Sequence, residues 1–140
     1  MKFNVNQQDL QQALSYCQGV IEKRSTLPIL SNVLLNASNS DLTITATDLD
    51  LIFIHKINNV EILEEGNTTT TSSVIYDLIR KFSSGKKINL FLKDANKLQV
   101  ESEKSIFNLN CISATEFPLT DEDFNENEFL IKSKELLKLL

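Results

Sequence analysis

Residues 29–57, ILSNVLLNASNSDLTITATDLDLIFIHKI, decide the fold. They contain three short runs rich in Leu, Ile, Val and Thr, and the turn-forming residues Asn39-Ser40-Asp41 separate the first run from the second. A fourth run, NVEILEE at 59–65, follows Asn58, and Gly66 closes it. Short β-prone runs at this spacing are typical of antiparallel strands joined by tight turns. The segment therefore predicts an antiparallel β-meander.

A strand and an amphipathic helix precede the meander. Residues 1–6, MKFNVN, alternate apolar and polar side chains, as a short strand does. From Asn6 or Gln7 onward, apolar residues recur at helical spacing, while the opposite side is polar, nearly uncharged and rich in glutamine. Gly19, with Lys23 and Arg24 after it, suits a helix C-terminus. The apolar stripe comprises Leu10, Ala13, Leu14, Cys17 and Ile21.

The same order of elements returns in the second half. A helix pattern follows TTTTSS at 68–73, with Ser72 or Ser73 as the N-cap and Ser83-Ser84-Gly85 as the end. Its apolar stripe comprises Val74, Ile75, Leu78, Ile79 and Phe82. Three strand candidates come next: KINLFL at 87–92, KLQVES at 97–102 and SIFNLNCI at 105–112. Two β-α-β-β-β units, with one or two extra strand pieces, predict an α+β fold.

Composition and charge narrow the class of protein. A chain of 140 residues with 41% hydrophobic and 24% charged residues is typical of one soluble globular domain. Six acids and no base lie in residues 115–128, which leaves the rest of the chain close to neutral. No apolar run is long enough to span a membrane, and the N-terminus resembles no secretory signal. Cys17 and Cys111 have no paired-ligand spacing, which favours buried, reduced thiols and a cytoplasmic location.

The sequence offers few candidates for chemistry. His55 is the one histidine, and a lone histidine on a strand is far more often structural than catalytic. Asp48 and Asp50 could hold a divalent cation, although the polar end of a turn is the better interpretation. No glycine-rich phosphate loop and no nucleophile elbow is present. These patterns predict no catalytic site, no metal site and no cofactor.

Basic residues cluster at the ends of the two predicted helices. Lys23 and Arg24 follow the first helix, Arg80 and Lys81 lie on the second, and Lys86-Lys87 comes just beyond it. Any single cluster is more often a solvated face than a binding site. Two polar helices side by side with bases at their ends could nevertheless contact phosphates, independently of base sequence and with strong salt dependence.

Four segments carry a family resemblance. MKFNV at 1–5, STLPILSNVLL at 25–35, TATDLDL at 45–51 and ATEFP at 114–118 resemble the bacterial DNA polymerase III β subunits, the sliding clamps. The resemblance implies the DNA-clamp fold: two β-α-β-β-β units per domain, with antiparallel sheets outside and both helices on the DNA-facing side. Three such domains form a protomer in that family, and two protomers close a ring around duplex DNA. It also implies that Asp48 and Asp50 belong to a structural motif.

The resemblance implies a division of the chain. FNVNQQDLQQAL from Phe3 and FLIKSKELLKLL from Phe129 align without a gap. Residues 1–118 would then form the N-terminal clamp domain, 119–127 an acidic interdomain connector, and 128–140 the truncated start of a second domain. In that case Leu136, Leu139 and Leu140 form an apolar helix face that lacks its sheet.

The resemblance also assigns candidate sites. Arg24 falls on a family position that touches DNA, and Lys23, Arg80 and Lys81 extend the basic surface, although Ser72-Ser73 stands where the family often carries a base. The strand SIFNLN would meet the partner protomer. Phe107 and Leu109 would fill the apolar centre of that interface, and alternation alone would instead make them ordinary core. Flanking charge would come from Lys97 and Lys104, while Glu101 and Ile106 stand where bases are common.

The implied function is that of a processivity factor rather than an enzyme. The expected partners are double-stranded DNA, bound independently of sequence, and a second protomer in the full-length protein. DNA polymerase III and the clamp loader would bind through domains outside these residues, and no membrane is expected. Two alternatives stay open: a free-standing α+β nucleic-acid-binding module, and an enzyme that holds a metal through Asp48 and Asp50.

Overall fold

The computed structural model describes residues 1–21, 26–119 and 130–140. The predicted strand–helix–meander order is present twice, with one additional strand between the two units. The strands are β1 (Lys2–Asn6), β2 (Asn32–Ser38), β3 (Asp41–Thr47), β4 (Ile52–Ile57), β5 (Glu61–Glu64), β6 (Gly66–Thr71), β7 (Lys87–Asp94), β8 (Lys97–Ser102) and β9 (Ser105–Ile112). The α-helices are α1 (Gln7–Gln18), α2 (Ser72–Ile79) and α3 (Ser133–Leu139), and short 3-10 helices span Pro28–Ser31 and Ala114–Glu116.

The strands described form one nine-stranded antiparallel sheet in the order β4-β3-β2-β6-β9-β8-β7-β1-β5. The first strand of each unit joins the meander of the other unit: β1 lies beside β7, and β6 lies beside β2. The two halves meet where β6 pairs with β9, through Thr69 opposite Ile112 and Thr70 opposite Cys111. This exchange of first strands ties both units into one structure.

Helix α1 begins where the sequence predicts. Asn6 is its N-cap, and the Asn6 Oδ1 accepts a hydrogen bond of 2.9 Å from the Gln8 N–H. Such a cap satisfies one of the backbone donors that the first turn leaves unpaired. The helix ends at Gln18, so Ile21 lies beyond it, although its side chain still packs against the core. The predicted start of the helix at Asn6 or Gln7 is confirmed.

Helix α2 is shorter than predicted. Thr71, rather than Ser72 or Ser73, precedes its first turn, and the helix ends at Ile79 instead of at Ser83-Ser84-Gly85. After Ile79 the N–H groups of Lys81 and Phe82 bond three residues back, and this tightens the chain out of the α-helix. The buried positions of α2 recur every three or four residues along one side of the helix. Val74 does not lie on that side, and it is 49% exposed. The buried positions are Ser72, Ile75, Leu78 and Ile79.

Strand β6 was not predicted. The sequence pattern places the start of the second helix after TTTTSS and assigns no strand to the threonine tract. Thr68, Thr69 and Thr70 are nevertheless almost fully buried beside β2. Their branched side chains suit a pleated strand, and the hydroxyls are paired: Thr69 Oγ1 donates to the Ile112 carbonyl at 2.7 Å.

The start of β6 favours glycine. Gly66 has φ +156°, and a Cβ built on it lies 3.0 Å from the Met1 Cβ and 3.2 Å from the Met1 nitrogen. Contacts this short are tighter than most real Cβ contacts, so a side chain here would displace Met1 by a few tenths of an ångström. Glycine allows the backbone of β6 to approach the first residue without that displacement.

Both helices pack side by side on one face of the sheet and enclose the core. The Gln7 Nε2 donates to the Ile79 carbonyl at 2.9 Å, and the Gln18 Nε2 donates to the Ser72 Oγ at 2.8 Å. These bonds join α1 to α2 at both ends. The largest fully buried apolar side chains include Phe3, Leu10, Leu14, Leu35, Leu42, Ile44, Ile75, Ile79, Ile88, Leu90 and Leu98. The predicted arrangement, with helices on one side of antiparallel strands, is confirmed.

Candidate nucleic-acid and protomer interfaces

A polar groove runs between α1 and the chain that leaves α2. It measures about 500 Å³. Its walls are amide and hydroxyl side chains with one guanidinium and one aromatic ring: Gln7, Gln8, Gln11, Gln12, Ser15, Arg80, Phe82 and Ser84. Side chains of this kind can donate to and accept from a nucleic-acid backbone, and they impose no fixed charge except at Arg80.

Gln7 lies buried at the base of this groove. Its Nε2 donates to the Gln11 Oε1 at 2.7 Å as well as to the Ile79 carbonyl. Its Oε1 has no hydrogen-bond partner within the described parts of the chain. The side chain is only 2% exposed, so this amide mainly fastens the two helices together.

Arg80 supplies the positive charge of the groove. Its guanidinium forms an ion pair of 3.1 Å with Asp77 and lies 5.6 Å from the centre of the Tyr76 ring. Arg80 is the C-cap of α2 rather than a residue within the helix, and Lys81 follows it as an exposed side chain. Both bases therefore stand at the helix terminus, where a cation also complements the helix dipole. The pair with Asp77 partly neutralises Arg80.

The other two predicted DNA contacts, Lys23 and Arg24, lie outside the described residues. Their segment, 22–25, connects the end of α1 with the 3-10 helix at Pro28–Ser31.

His55 belongs to an aromatic cluster that the sequence analysis missed. The rings of Tyr16 and His55 are 5.7 Å apart, those of Tyr16 and Phe53 are 6.1 Å apart, and Phe53 and His55 stack at 6.3 Å. The Tyr16 hydroxyl also accepts a hydrogen bond from the Gln12 Nε2 at 2.9 Å. The cluster packs α1 onto β4, which agrees with the structural interpretation of His55. Tyr16 and Phe53 are far apart in sequence, so no local pattern indicated it.

Asp48 and Asp50 lie in the turn between β3 and β4. The Asp48 Oδ1 accepts from the N–H groups of Asp50 at 3.0 Å and Leu51 at 2.7 Å. The turn also holds Leu49 at φ +81°. No group of three or more metal-ligating side chains occurs among residues 1–21, 26–119 and 130–140. The arrangement is that of a side-chain-capped turn.

Neither cysteine is suited to nucleophilic chemistry. Burial raises the pKa of the Cys17 thiol to about 12. Burial is also the main cause of the raised pKa of Cys111. Since the thiolate is the reactive form, both thiols are inert near neutral pH.

The apolar part of the predicted protomer interface needs one correction. Phe107 is 41% exposed at the edge of the sheet, as expected, but Leu109 is only 8% exposed and belongs to the core of the domain. Ile106, on the opposite face of β9, is 58% exposed. Leu109 is part of the hydrophobic core cluster of the domain. The exposed apolar side chains of this edge are therefore Ile106 and Phe107.

Polar residues flank the same edge. The Lys97 Nζ donates to the Asn110 Oδ1 at 2.7 Å, directly across the β8–β9 pair. Lys104 lies exposed in the turn that joins β8 to β9. The two lysines thus lie at opposite ends of the exposed part of β9.

The last described segment contains α3, whose side chains all lie in solvent. Leu136, Leu139 and Leu140 are exposed, as the sequence analysis expected. No strand is present at 130–132, and Phe129, where the predicted strand starts, is outside the described residues. Across the three described stretches, no helix has the length and apolar character needed to cross a membrane.

These features define an α+β domain of the DNA-clamp class: two helices side by side on one face of an antiparallel sheet, and an open strand at the edge of one half. Three comparisons agree. The family model for the DNA polymerase III β subunit N-terminal domain matches residues 1–121. The β sliding clamp of Caulobacter vibrioides is 33% identical over 100% of this chain, and that of Escherichia coli K12 is 31% identical over the same share.

Solved structures give the same result. The Caulobacter crescentus polymerase III β structure superposes with a TM-score of 0.91 and 33% identity, and it covers 99% of this chain and 37% of its own. The Pseudomonas aeruginosa β subunit superposes with a TM-score of 0.91 at 29% identity over the same shares. The chain belongs to the DNA polymerase III β subunit family. It spans 38% of the length of the curated relatives named above.

Proposed function

We propose that this chain is part of a DNA sliding clamp, the processivity factor of a replicative polymerase. The observation that carries the proposal is the glutamine-lined face of α1 held beside α2 on one face of the sheet, with Arg80 at the edge of the groove. A ring that encloses DNA retains it by topology and needs no tight grip. A polar wall with one guanidinium suits that task, because phosphate contacts without sequence preference allow a protein to slide along DNA.

The DNA contacts proposed here come from the helix side. Arg80 and Lys81 stand at the end of α2, and Lys23 and Arg24 follow α1 in the sequence. We assign all four to phosphate binding without sequence preference. The ion pair with Asp77 partly neutralises Arg80. The family position on which Arg24 falls makes Arg24 the candidate for the main contact.

The proposed domain division follows the sequence. Residues 1–118 form the N-terminal clamp domain, 119–127 the acidic connector, and 128–140 the start of a second domain of the same kind. The exposed leucines of α3 support the last assignment, because an amphipathic helix normally buries such residues against a sheet.

The proposed junction between protomers is β9. Phe107 supplies its apolar centre, and Ile106 takes the place that the sequence analysis gave to Leu109. Lys97 and Lys104 supply flanking charge. An edge strand with exposed apolar side chains is a site that proteins normally cover.

The remaining assignments concern the whole ring. It acts in the cytoplasm and carries out no covalent chemistry. The DNA polymerase and the clamp loader bind it through domains that these residues do not include.

The test uses a full-length clamp that carries this chain as its first domain. Loaded on nicked circular duplex, it should remain bound through a high-salt wash and leave when the DNA is linearised. Matched retention on circular and linear DNA would overturn the proposal. A free-standing nucleic-acid module would instead bind both forms equally and lose affinity steeply with salt.

A further inference from the structure

The chain that leaves α2 forms a basic loop, residues 80–86, RKFSSGK. It contains three bases and no acid, and it leads directly into β7. All of its residues are exposed except Phe82, which is partly buried. Arg80 is paired with Asp77, whereas Lys81 and Lys86 form no ion pair within the described parts of the chain. Two cations of the basic loop are therefore available to a ligand.

Gln7 holds both ends of the basic loop. Its side-chain Nε2 donates to the carbonyl of Ile79, the residue before the loop, at 2.9 Å. Its backbone N–H donates to the carbonyl of Lys86, the last residue of the loop, also at 2.9 Å. One residue at the start of α1 therefore fixes where the loop leaves α2 and where it enters β7.

The next residue of α1 holds the middle of the loop. The Gln8 Nε2 donates to the Ser84 Oγ at 2.5 Å. Ser84 and Arg80 also line the polar groove beside α1, so the basic loop borders the face to which we assign the DNA. The loop is thus held at three points by two neighbouring residues.

The need to pair polar groups does not explain the Gln7 amide. The Ile79 carbonyl also accepts from the Phe82 N–H at 3.2 Å, so it would keep a partner without Gln7. The Gln7 Oε1 has no hydrogen-bond partner among the described residues, and a buried acceptor without a partner destabilises a fold. An apolar side chain of the same length would avoid that cost. The amide instead supplies a fixed position for the start of the loop.

We propose that Gln7 is a positioning residue for DNA binding, which holds the basic loop in the conformation in which Lys81 and Lys86 contact phosphates. A loop that is already ordered in the free protein loses little conformational entropy when it binds. Ordering even one free residue on binding would lower the affinity by about fivefold or more. The inference rests on the proposed function, and it adds Lys86 to the DNA contacts and Gln7 as the residue that orients them.

The first experiment measures the affinity of the full chain for duplex DNA by fluorescence anisotropy across a salt series. Gln7→Met keeps the length of the side chain and the net charge, and it removes the Nε2 donor. It should lower the affinity by about fivefold or more at every salt concentration. The slope of log affinity against log salt concentration should stay unchanged, because no phosphate contact is lost. Lys86→Gln should instead make that slope shallower by about 0.9.

Gln18→Met is the matched control. Gln18 is the last residue of α1, where its Nε2 donates to the Ser72 Oγ at 2.8 Å. It also joins α1 to α2, but it forms no hydrogen bond with the basic loop. The DNA affinity of this variant should equal that of the wild type. Urea denaturation of both variants shows whether a loss of affinity merely follows a loss of stability.

A second measurement needs no DNA. Backbone order parameters from NMR relaxation should be about 0.85 for residues 80–86 in the wild type and in Gln18→Met, as in rigid backbone. They should fall below about 0.6 in Gln7→Met. Gln8→Ala changes an exposed side chain and removes the bond to Ser84, so it tests the same effect even if Gln7→Met fails to fold. It should loosen the loop and weaken DNA binding in the same direction.

Several outcomes would overturn the proposal. Wild-type affinity in Gln7→Met contradicts it, and so does an equal loss in Gln18→Met. A loop that is as rigid in Gln7→Met and Gln8→Ala as in the wild type excludes it without reference to DNA. A wild-type chain that does not bind duplex at low salt excludes the DNA contacts of the loop. Retention of the ring on circular DNA depends on ring closure, so it decides the proposed function separately.

Discussion

The ring of Phe107 packs edge-on against the ring of Phe82, with centroids 5.9 Å apart and planes inclined by 62°. Phe82 follows the last residue of α2 by three positions, and Phe107 lies at the open end of β9. Next to this contact, residues 105–108 of β9 are exposed at the edge of the sheet.

The aromatic pair should contribute measurably to stability. We expect Phe82→Ala and Phe107→Ala each to lower the free energy of unfolding, and the double variant to lose less than the sum by about 1 kcal/mol, which is typical of an edge-to-face pair. Urea denaturation of the four proteins at low concentration gives the coupling energy. A coupling near zero would show that the two rings merely lie close to each other.

Gly66 should tolerate alanine less well than Gly85. Both have positive φ, but the added Cβ at Gly66 meets Met1 at 3.0 Å, whereas at Gly85 no atom lies within 4 Å. Alanine at Gly85 pays only the backbone penalty of about 1–2 kcal/mol. Alanine at Gly66 has this backbone penalty and must also push Met1 away from β6, which costs further stability. Thermal unfolding should therefore show the larger loss for Gly66→Ala, and equal losses would contradict the close approach.

Alkaline pH should weaken the domain through Cys17. Its pKa rises on folding from 9.0 to about 12, so the folded state holds the thiol proton more tightly. That contribution is complete below pH 9 and is lost as the pH rises from 9 to 12. The slope is at most about 1.4 kcal/mol per pH unit for one proton.

Cys17→Ala isolates this effect from other groups that titrate at high pH. The variant should be less stable at pH 7 because it leaves a small cavity. Its stability should fall less than that of the wild type between pH 9 and 11. Parallel curves for the two proteins would exclude Cys17 as the cause.

Asp77 should restrain DNA binding, because it pairs with Arg80 at 3.1 Å. We expect Asp77→Asn to raise the affinity of the chain for duplex DNA at low salt, and Arg80→Gln to lower it. Arg80→Gln should also make the slope of log affinity against log salt concentration shallower by about one unit, because one phosphate contact fewer releases about one counterion fewer. Fluorescence anisotropy across a salt series measures both effects.

Lys2→Gln is the matched control for charge. Lys2 lies over the Phe91 ring on the sheet face opposite the helices, and its loss removes the same charge as the loss of Arg80. If Lys2→Gln weakens binding as much as Arg80→Gln does, the DNA does not lie on the helix side.

Helix α3 should exchange its amide hydrogens quickly. It has seven residues, all exposed, and isolated helices of this length are marginal in water. Residues 10–17 of α1 lie over the sheet and should be protected by several orders of magnitude more. Comparable protection of Ser133–Leu139 in dilute protein would show that this helix has a partner.

Much of the local structure could be predicted from neighbouring residues. The Asn6 cap and the buried stripe of α1 depend on side chains within a few positions of each other, and the Asn39-Ser40 turn depends on two residues that tolerate positive φ. The threonine strand β6 escaped prediction because its burial comes from β2 and β9, which lie far away in sequence.

Some features of the candidate site likewise follow from residue order, and others follow from tertiary packing. The sequence by itself determined the family, the glutamine-rich outer side of α1 and the uncharged character of β9, since each is a property of residue types in order. Only the tertiary structure decided that Leu109 is buried and that Ile106 and Phe107 are exposed. Alternation along a strand predicts which side chains lie on the same face of the sheet. Whether a residue on that face is covered depends on packing between elements that lie far apart in sequence, and no local pattern contains that information.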